Sequence, residues 1–383
     1  MSGDPEQEYF ADGMVEEIIT ALSKVRWFFV IARNSSFTYK GRAVDVKQVG
    51  RDLGVRYVLE GSVRKGGNRV RITAQLVEAE TGNHIWAERY DREAADIFAV
   101  QDDITERVVA TIEPELYAAE HFRSRRKPPD SLDAWECVVR ALSSVAQDTL
   151  AGVAAAEALC RRAIAIDPGY GQAHSLLAWV LVRGTSRSGG RVRTVLPEAI
   201  AEARTALRLD ERDPWAHATH GVVLWRMRRH GEAVRAFRRA LELNPNFAIA
   251  HAQLGLTLAI QGAHEDAADS AEHALRLSPR DILVGLYASV AQAAAQFAAG
   301  RYADAVTWAR NAVEISPEHP PAYFFLIAAA AMQGDLATAA ALATLFRLQP
   351  EFSLAWMSEN MAYSEEVGER LLDGLRRAGM PEG

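Results

Sequence analysis

Cysteine is almost absent from this chain of 383 residues: Cys137 and Cys160 are the only two. Two thiols cannot make a disulfide framework, so the fold needs no oxidising compartment. Both lie in helical patterns and read as small packed residues rather than nucleophiles. A basic surplus is also lacking, with 43 Lys and Arg against 50 Asp and Glu. The resulting net charge of −7 argues against a general nucleic-acid binder. Long apolar runs are missing: the longest, 322–332, is too short to span a bilayer and meets Gly334-Asp335. The opening Met1-Ser-Gly-Asp-Pro-Glu-Gln-Glu8 is acidic and polar, where a secretory signal needs a basic and then an apolar stretch. The expectation is a soluble, cytoplasmic chain, envelope-associated only if a membrane segment lies upstream. Its length suits two domains, or one domain and an extended array.

A phrase ending in proline recurs after about residue 130. It appears as Ala-Ile-Ala-Ile-Asp-Pro168, Ala-Leu-Glu-Leu-Asn-Pro245, Ala-Leu-Arg-Leu-Ser-Pro279, Ala-Val-Glu-Ile-Ser-Pro317 and Leu-Phe-Arg-Leu-Gln-Pro350. A variant, Ala-Leu-Arg-Leu-Asp-Glu-Arg-Asp-Pro214, fills the gap. Pro245 to Pro279 is a step of 34 residues. Small residues recur at matching offsets: Gly221, Ala233 and Ala240; Gly255, Ala267 and Ala274; Gly300, Ala305 and Ala312. Two antiparallel helices approach closely only where alanine or glycine faces the contact, and proline ends the second helix of each pair. Period and register resemble those of the tetratricopeptide family. The expected array is six helix pairs over 132–363, with an insertion at Gly184–Arg193. A terminal helix from Ser364 caps it, because an open array needs a polar end.

The first 120 residues are patterned differently. Glu8–Val25 has helical spacing through Phe10, Met14, Ile18 and Leu22. Trp27–Ala32 is rich in β-formers and reads as a buried strand, and Val44–Leu53 as a helix ending at Gly54. Val55–Val63, Arg69–Val77 and His84–Tyr90 read as a three-strand meander, followed by a helix over Ile97–Tyr117. The fold class is therefore mixed: a small α/β or α+β domain over 1–120, a linker over 121–131, then an all-α superhelix.

Four phrases carry a second resemblance: Ser2-Gly-Asp-Pro-Glu-Gln-Glu-Tyr-Phe-Ala-Asp-Gly13, Ile31-Ala-Arg-Asn-Ser-Ser-Phe37, Tyr57-Val-Leu-Glu-Gly-Ser-Val63 and His84-Ile-Trp-Ala-Glu-Arg-Tyr90. They resemble the accessory domain of bacterial adenylate cyclase-like and winged-helix regulators, itself similar to the N-terminal domain of TolB and to FlgO. The resemblance implies a strand just before Ser2 and an effector domain upstream; neither is in this sequence. It implies signal transduction, with the chain as the sensory half of a cyclase.

The residues themselves carry no chemistry of that kind, and no catalytic, cofactor or metal site is assigned. The paired aspartates of a class III cyclase have no sheet to stand on after residue 120. His174, His217 and His251 recur near the fourth position of a repeat, with His220 a turn beyond His217, as metal ligands on stacked helices would. The same position packs one pair on the next, and the row is assigned to packing. His264-Glu265-Asp266 reads as a solvated corner, and Gly61–Gly67 as a hairpin rather than a phosphate loop. Ser35 and Ser36 lack a histidine–acid set. Arg183–Arg193 and Arg123–Lys127 are basic, the latter leading into Pro128-Pro129 as a linker.

The expected function is capture of a protein or peptide in the groove lined by the first helix of each pair. Trp179, Trp225, Arg226, Tyr287, Phe297 and Tyr323 are the candidate groove residues, being of the types that anchor interfaces. Each would serve equally as core filler. The lysine–asparagine set that clamps a peptide carboxylate in some relatives is not evident.

Overall fold

A computed structural model describes residues 5–25, 28–42, 44–93, 96–124, 132–185, 192–279, 281–335, 337–338, 341–342, 344–345, 352–361 and 363–382. They form two compact units, Met1–Ala119 and Glu120–Gly383.

The first unit contains α1 (Pro5–Leu22), a single turn α2 (Arg33–Ser36) and α3 (Val46–Leu53). Three strands follow, β1 (Tyr57–Gly66), β2 (Arg69–Glu78) and β3 (His84–Glu93), and then α4 (Ile97–Ser124), which continues beyond the unit boundary. The strands form one antiparallel sheet in chain order, with Tyr57 opposite Glu78, Ile72 opposite Tyr90 and Leu76 opposite Trp86. Alternation puts Val70, Ile72, Ala74 and Leu76 on one face, where they bury against Phe10, Met14 and Ile18 of α1 and Val100, Ile104 and Val108 of α4. Asp45 caps α3 through the Lys47 N–H, and Gly54 ends it at φ 64°.

The strand expected over Trp27–Ala32 does not form. Phe28–Ala32 belongs to no strand, Phe29 is exposed, and Trp27 lies outside the described residues. A β-forming run becomes a strand only when a neighbouring strand accepts its backbone bonds, and none of the described residues supplies one. The expected linker over 121–131 begins too early: 121–124 are the last turn of α4, and 125–131 lie outside the described residues.

The second unit is built from antiparallel pairs: α5 (Ala134–Ala146) with α6 (Leu150–Ile166), α7 (Gly171–Thr185) with α8 (Val192–Leu209), and α9 (Pro214–Arg226) with α10 (His230–Leu243). They continue with α11 (Ala248–Ile260) and α12 (His264–Leu277), then α13 (Ile282–Ala298) and α14 (Tyr302–Ile315). After α15 (Pro320–Gln333) come α16 (Leu354–Asn360) and α17 (Glu365–Arg377). Helix starts follow local chemistry. Asp133 and Glu136 form a capping box on α5, and Asp213 and Asp281 cap α9 and α13.

Pairs are held by close approach. A Cβ on Gly255 would lie 2.9 Å from the Ala267 carbonyl oxygen of the partner helix, so only glycine fits. Cys137 and Cys160 are fully buried, and burial pushes both thiols above their ordinary range. The terminal helix α17 turns Val367, Leu371 and Leu375 inward and packs on α15, leaving its charged residues outward.

Candidate functional site

Successive first helices deliver side chains to one cleft. Trp179 and Arg183 come from α7, Trp225 and Arg226 from α9, Gln253 from α11, and Tyr287 from α13. His319 and Phe325 border it from the α15 region, and Met361 and Tyr363 from the segment after α16. The cavity encloses about 50 Å³, far below the roughly 300–1,000 Å³ of a small-molecule pocket. Contact surface, not a ligand cavity, is what this arrangement offers.

Four of the six expected groove residues meet there: Trp179, Trp225, Arg226 and Tyr287. The other two do not line it. Phe297 is fully buried, packed against Phe325 at 5.9 Å and Tyr302 at 5.5 Å between ring centroids. Tyr323 is buried with its hydroxyl donating to the Pro317 carbonyl. Both helices are buried on most faces, so an aromatic residue on them has more core than groove to point into.

Beside the cleft lies a charge network that local sequence does not announce. Asp148, in the turn between α5 and α6, accepts from Arg183 and from the Ser316 hydroxyl, 168 residues further along the chain. Arg183 also donates to the Tyr287 hydroxyl, and its guanidinium stands 5.4 Å from the Trp179 ring centre and 5.3 Å from that of Tyr287. His319 Nδ1 is 3.7 Å from the Asp148 carboxylate. Arg183 opens the basic run Arg183–Arg193 of the sequence; α7 runs through Thr185 and buries it, while 186–191 lie outside the described residues. Arg226 donates to Thr185 Oγ1 at 3.2 Å. Burial and then the nearby Arg228 lower its pKa to about 10, which leaves it charged at neutral pH.

The histidine row has a repeated structural purpose. His174, His217 and His251 each stand fourth in the first helix of a pair. Their Nε2 atoms lie 3.0, 2.8 and 2.9 Å from the carbonyl oxygens of Pro168, Glu211 and Pro245. Tyr323, also fourth in its helix, bonds Pro317 in the same way at 3.0 Å. Each ring ties the helix start to the carbonyl six residues back, a donor's task that needs no metal. Gly61–Gly67 is the second half of β1 and its hairpin turn, and Ser35 and Ser36 lie in the short turn α2. Among the described residues no cluster of His, Cys, Asp and Glu could hold a metal ion, and no helix is long and apolar enough to cross a membrane.

Burial, then His273 and Arg276, lower the His251 pKa to about 4. A histidine depressed when folded takes up its proton first in the unfolded chain, whose reference value is 6.5. Stability from this group is therefore full above about pH 6.5 and falls as the pH drops towards 4. The expected loss between pH 7 and 4.5 is on the order of 2 kcal/mol. Urea unfolding at the two pH values checks it: the pH-dependent loss is smaller in His251→Gln by that amount.

The tetratricopeptide repeat family model matches residues 219–282. This window covers α10, α11 and α12 entire and includes Pro245 and Pro279, the 34-residue step. Residues 219–282 are tetratricopeptide repeat sequence by that match. A similar curated protein is "Putative adenylate cyclase 3" of Rhizobium meliloti, 45% identical over 237 residues, which are 62% of this chain and 40% of that one. The chain thus spans about two-fifths of that relative's length. Among solved structures, Pseudomonas aeruginosa PilF is 23% identical with TM-score 0.38, covering 59% of this chain and 96% of its own. A thermophilic tetratricopeptide protein of Thermus thermophilus is 19% identical with TM-score 0.40, covering 51% and 98%. PilW, described as a type IV pilus biogenesis factor, is 18% identical with TM-score 0.39, covering 62% and 98%.

Proposed function

We propose that this chain is a non-catalytic binding module whose tetratricopeptide array holds a protein or peptide partner along its groove, in the cytoplasm. The observation that carries the reading is the convergence of Trp179, Trp225, Arg226 and Tyr287, from the first helices α7, α9 and α13, on a single cleft. Aromatic rings give large contact area with few rotamers to freeze, Arg226 is already held by Thr185, and the small cavity favours a surface ligand over a metabolite. Trp225 is the residue to change, because it is only half-buried and borders the cleft. Trp225→Ala is expected to weaken a partner recovered on the full chain at least tenfold, with the thermal midpoint little changed. An unchanged affinity for every recovered partner would sink the groove reading.

A second reading makes the chain the regulatory part of an adenylate cyclase, with a TolB- and FlgO-like first domain as the coupling piece. The 45% identity to a relative bearing that name supports it. The native protein's N-terminal peptide and reading frame test this version. An in-frame cyclase segment favours it, and a native start at Met1 removes its single-chain form.

A further inference from the structure

Among the described residues, two that are not glycine have a left-handed backbone: Asp148 at φ 51° and Arg228 at φ 61°. Both stand in the same place in their repeats, two residues before the second helix of the pair. Later turns put Gly262, Gly300 and Gly334 in that conformation, at φ 85°, 74° and 77°. A residue with a Cβ is strained there, so a side chain retained at the position points to a task for that side chain. Asp148 has one, in the network beside the cleft. Arg228 has another: its Nη2 donates to the carbonyls of Ser358 at 2.7 Å and Glu359 at 3.3 Å, 130 and 131 residues later.

The segment that Arg228 holds reaches the cleft. Met361 is 9% exposed and lines it. Tyr363 stands edge-on to Phe325, with centroids 5.9 Å apart and planes at 79°. The Ser364 hydroxyl precedes α17 but makes no cap on that helix, donating instead to the Ile260 carbonyl at the end of α11. Arg370 Nη1 donates to the Ala298 carbonyl at the end of α13, at 2.6 Å. Helix-terminal carbonyls lack partners within their own helix; Ser364 supplies one of them and Arg370 of α17 another.

We propose that the segment carrying Ser358, Glu359, Met361 and Tyr363 is a self-docked occupant of the groove, clasped by Arg228. A partner then enters as a peptide of the same chemistry, a last helical turn followed by an aromatic residue. It offers consecutive backbone carbonyls to Arg228 and an aromatic ring to the seat beside Phe325 and Arg226. The proposal rests on the groove reading and adds both the control of access and the kind of peptide read.

Two measurements on the full chain test it. Arg228→Gly fits the backbone of the turn, so the fold survives. Amides of 358–364 are expected to exchange hydrogen at least tenfold faster than in the unaltered chain, while those of α10 and α11 stay as they were. In Tyr363→Ala the seat is vacated. A fluorescent peptide of residues 356–364 is expected to bind this variant at least tenfold tighter than the unaltered chain, and to lose that gain when its own tyrosine is replaced by alanine. Unaltered exchange in Arg228→Gly, or equal peptide affinity for the two chains, overturns the proposal and makes the segment a fixed part of the fold. Neither readout involves the cellular partner, so these results stand apart from the Trp225→Ala test of the groove itself.

Discussion

Asp148→Ala is expected to destabilise the repeat array by roughly 3–5 kcal/mol, because it leaves the Arg183 guanidinium buried without its carboxylate. The side chains of both partners are only 3% exposed, so water cannot replace the lost charge. Ser316 loses its acceptor and His319 the carboxylate 3.7 Å away. Alanine also keeps the strain of φ 51°, whereas glycine would relieve it. Asp148→Gly therefore separates the two causes. Denaturant unfolding should show it still losing most of the stability that alanine loses. If Asp148→Gly is as stable as the unaltered chain, backbone strain and not the ion pair dominates at this turn. Asp148→Asn is expected to fall between them, keeping an acceptor for Ser316 but no charge for Arg183.

Phe297→Ala should be as damaging to the fold, at roughly 3–5 kcal/mol for a large side chain removed from a packed site. The ring is fully buried and touches Phe325 and Tyr302, so its loss leaves a cavity between α13, α14 and α15. For a unit of this size the thermal midpoint would drop by about 10 °C. Below the transition, partner affinity should differ little from that of the unaltered chain. A large loss of binding with an unmoved midpoint would return Phe297 to the groove, against the packing described. Beside Trp225→Ala, which is expected to spare the fold, the pair of variants divides the candidate residues by what they do.

The repeats were legible because each is written locally. A proline ends each unit, a small residue marks each close approach, and an aspartate often opens the next helix, as at Asp213 and Asp281. The alternation of β2 was legible for the same reason, since Val70, Ile72, Ala74 and Leu76 face one core. Phe28–Ala32 misled because β-propensity reports only that a strand would fit, not that a neighbour exists. The candidate site was half-legible. Residue type picked out Trp179, Trp225, Arg226 and Tyr287, but α13 and α15 are apolar on nearly every face, so periodicity could not say which way Phe297 and Tyr323 point. Asp148, Arg183, Ser316 and His319 meet across long stretches of chain, and no local pattern encodes that. The signal available was negative: aspartate and arginine stand at turn positions where later units have glycine.

A repeat array normally behaves as a one-dimensional stack, in which each unit feels only its neighbours and melting runs inward from the ends. The bond from Asp148 to Ser316 joins the first helix pair to the fifth, so the stack has a cross-link that nearest-neighbour arithmetic omits. Closing so long a loop carries an entropic cost that is met late in folding, after the intervening helices exist. Once closed, fraying of the first pair must break a contact with the far end as well. Melting of the terminal pairs is then coupled, and the stretch from α5 to α15 loses its structure as one cooperative block rather than unit by unit.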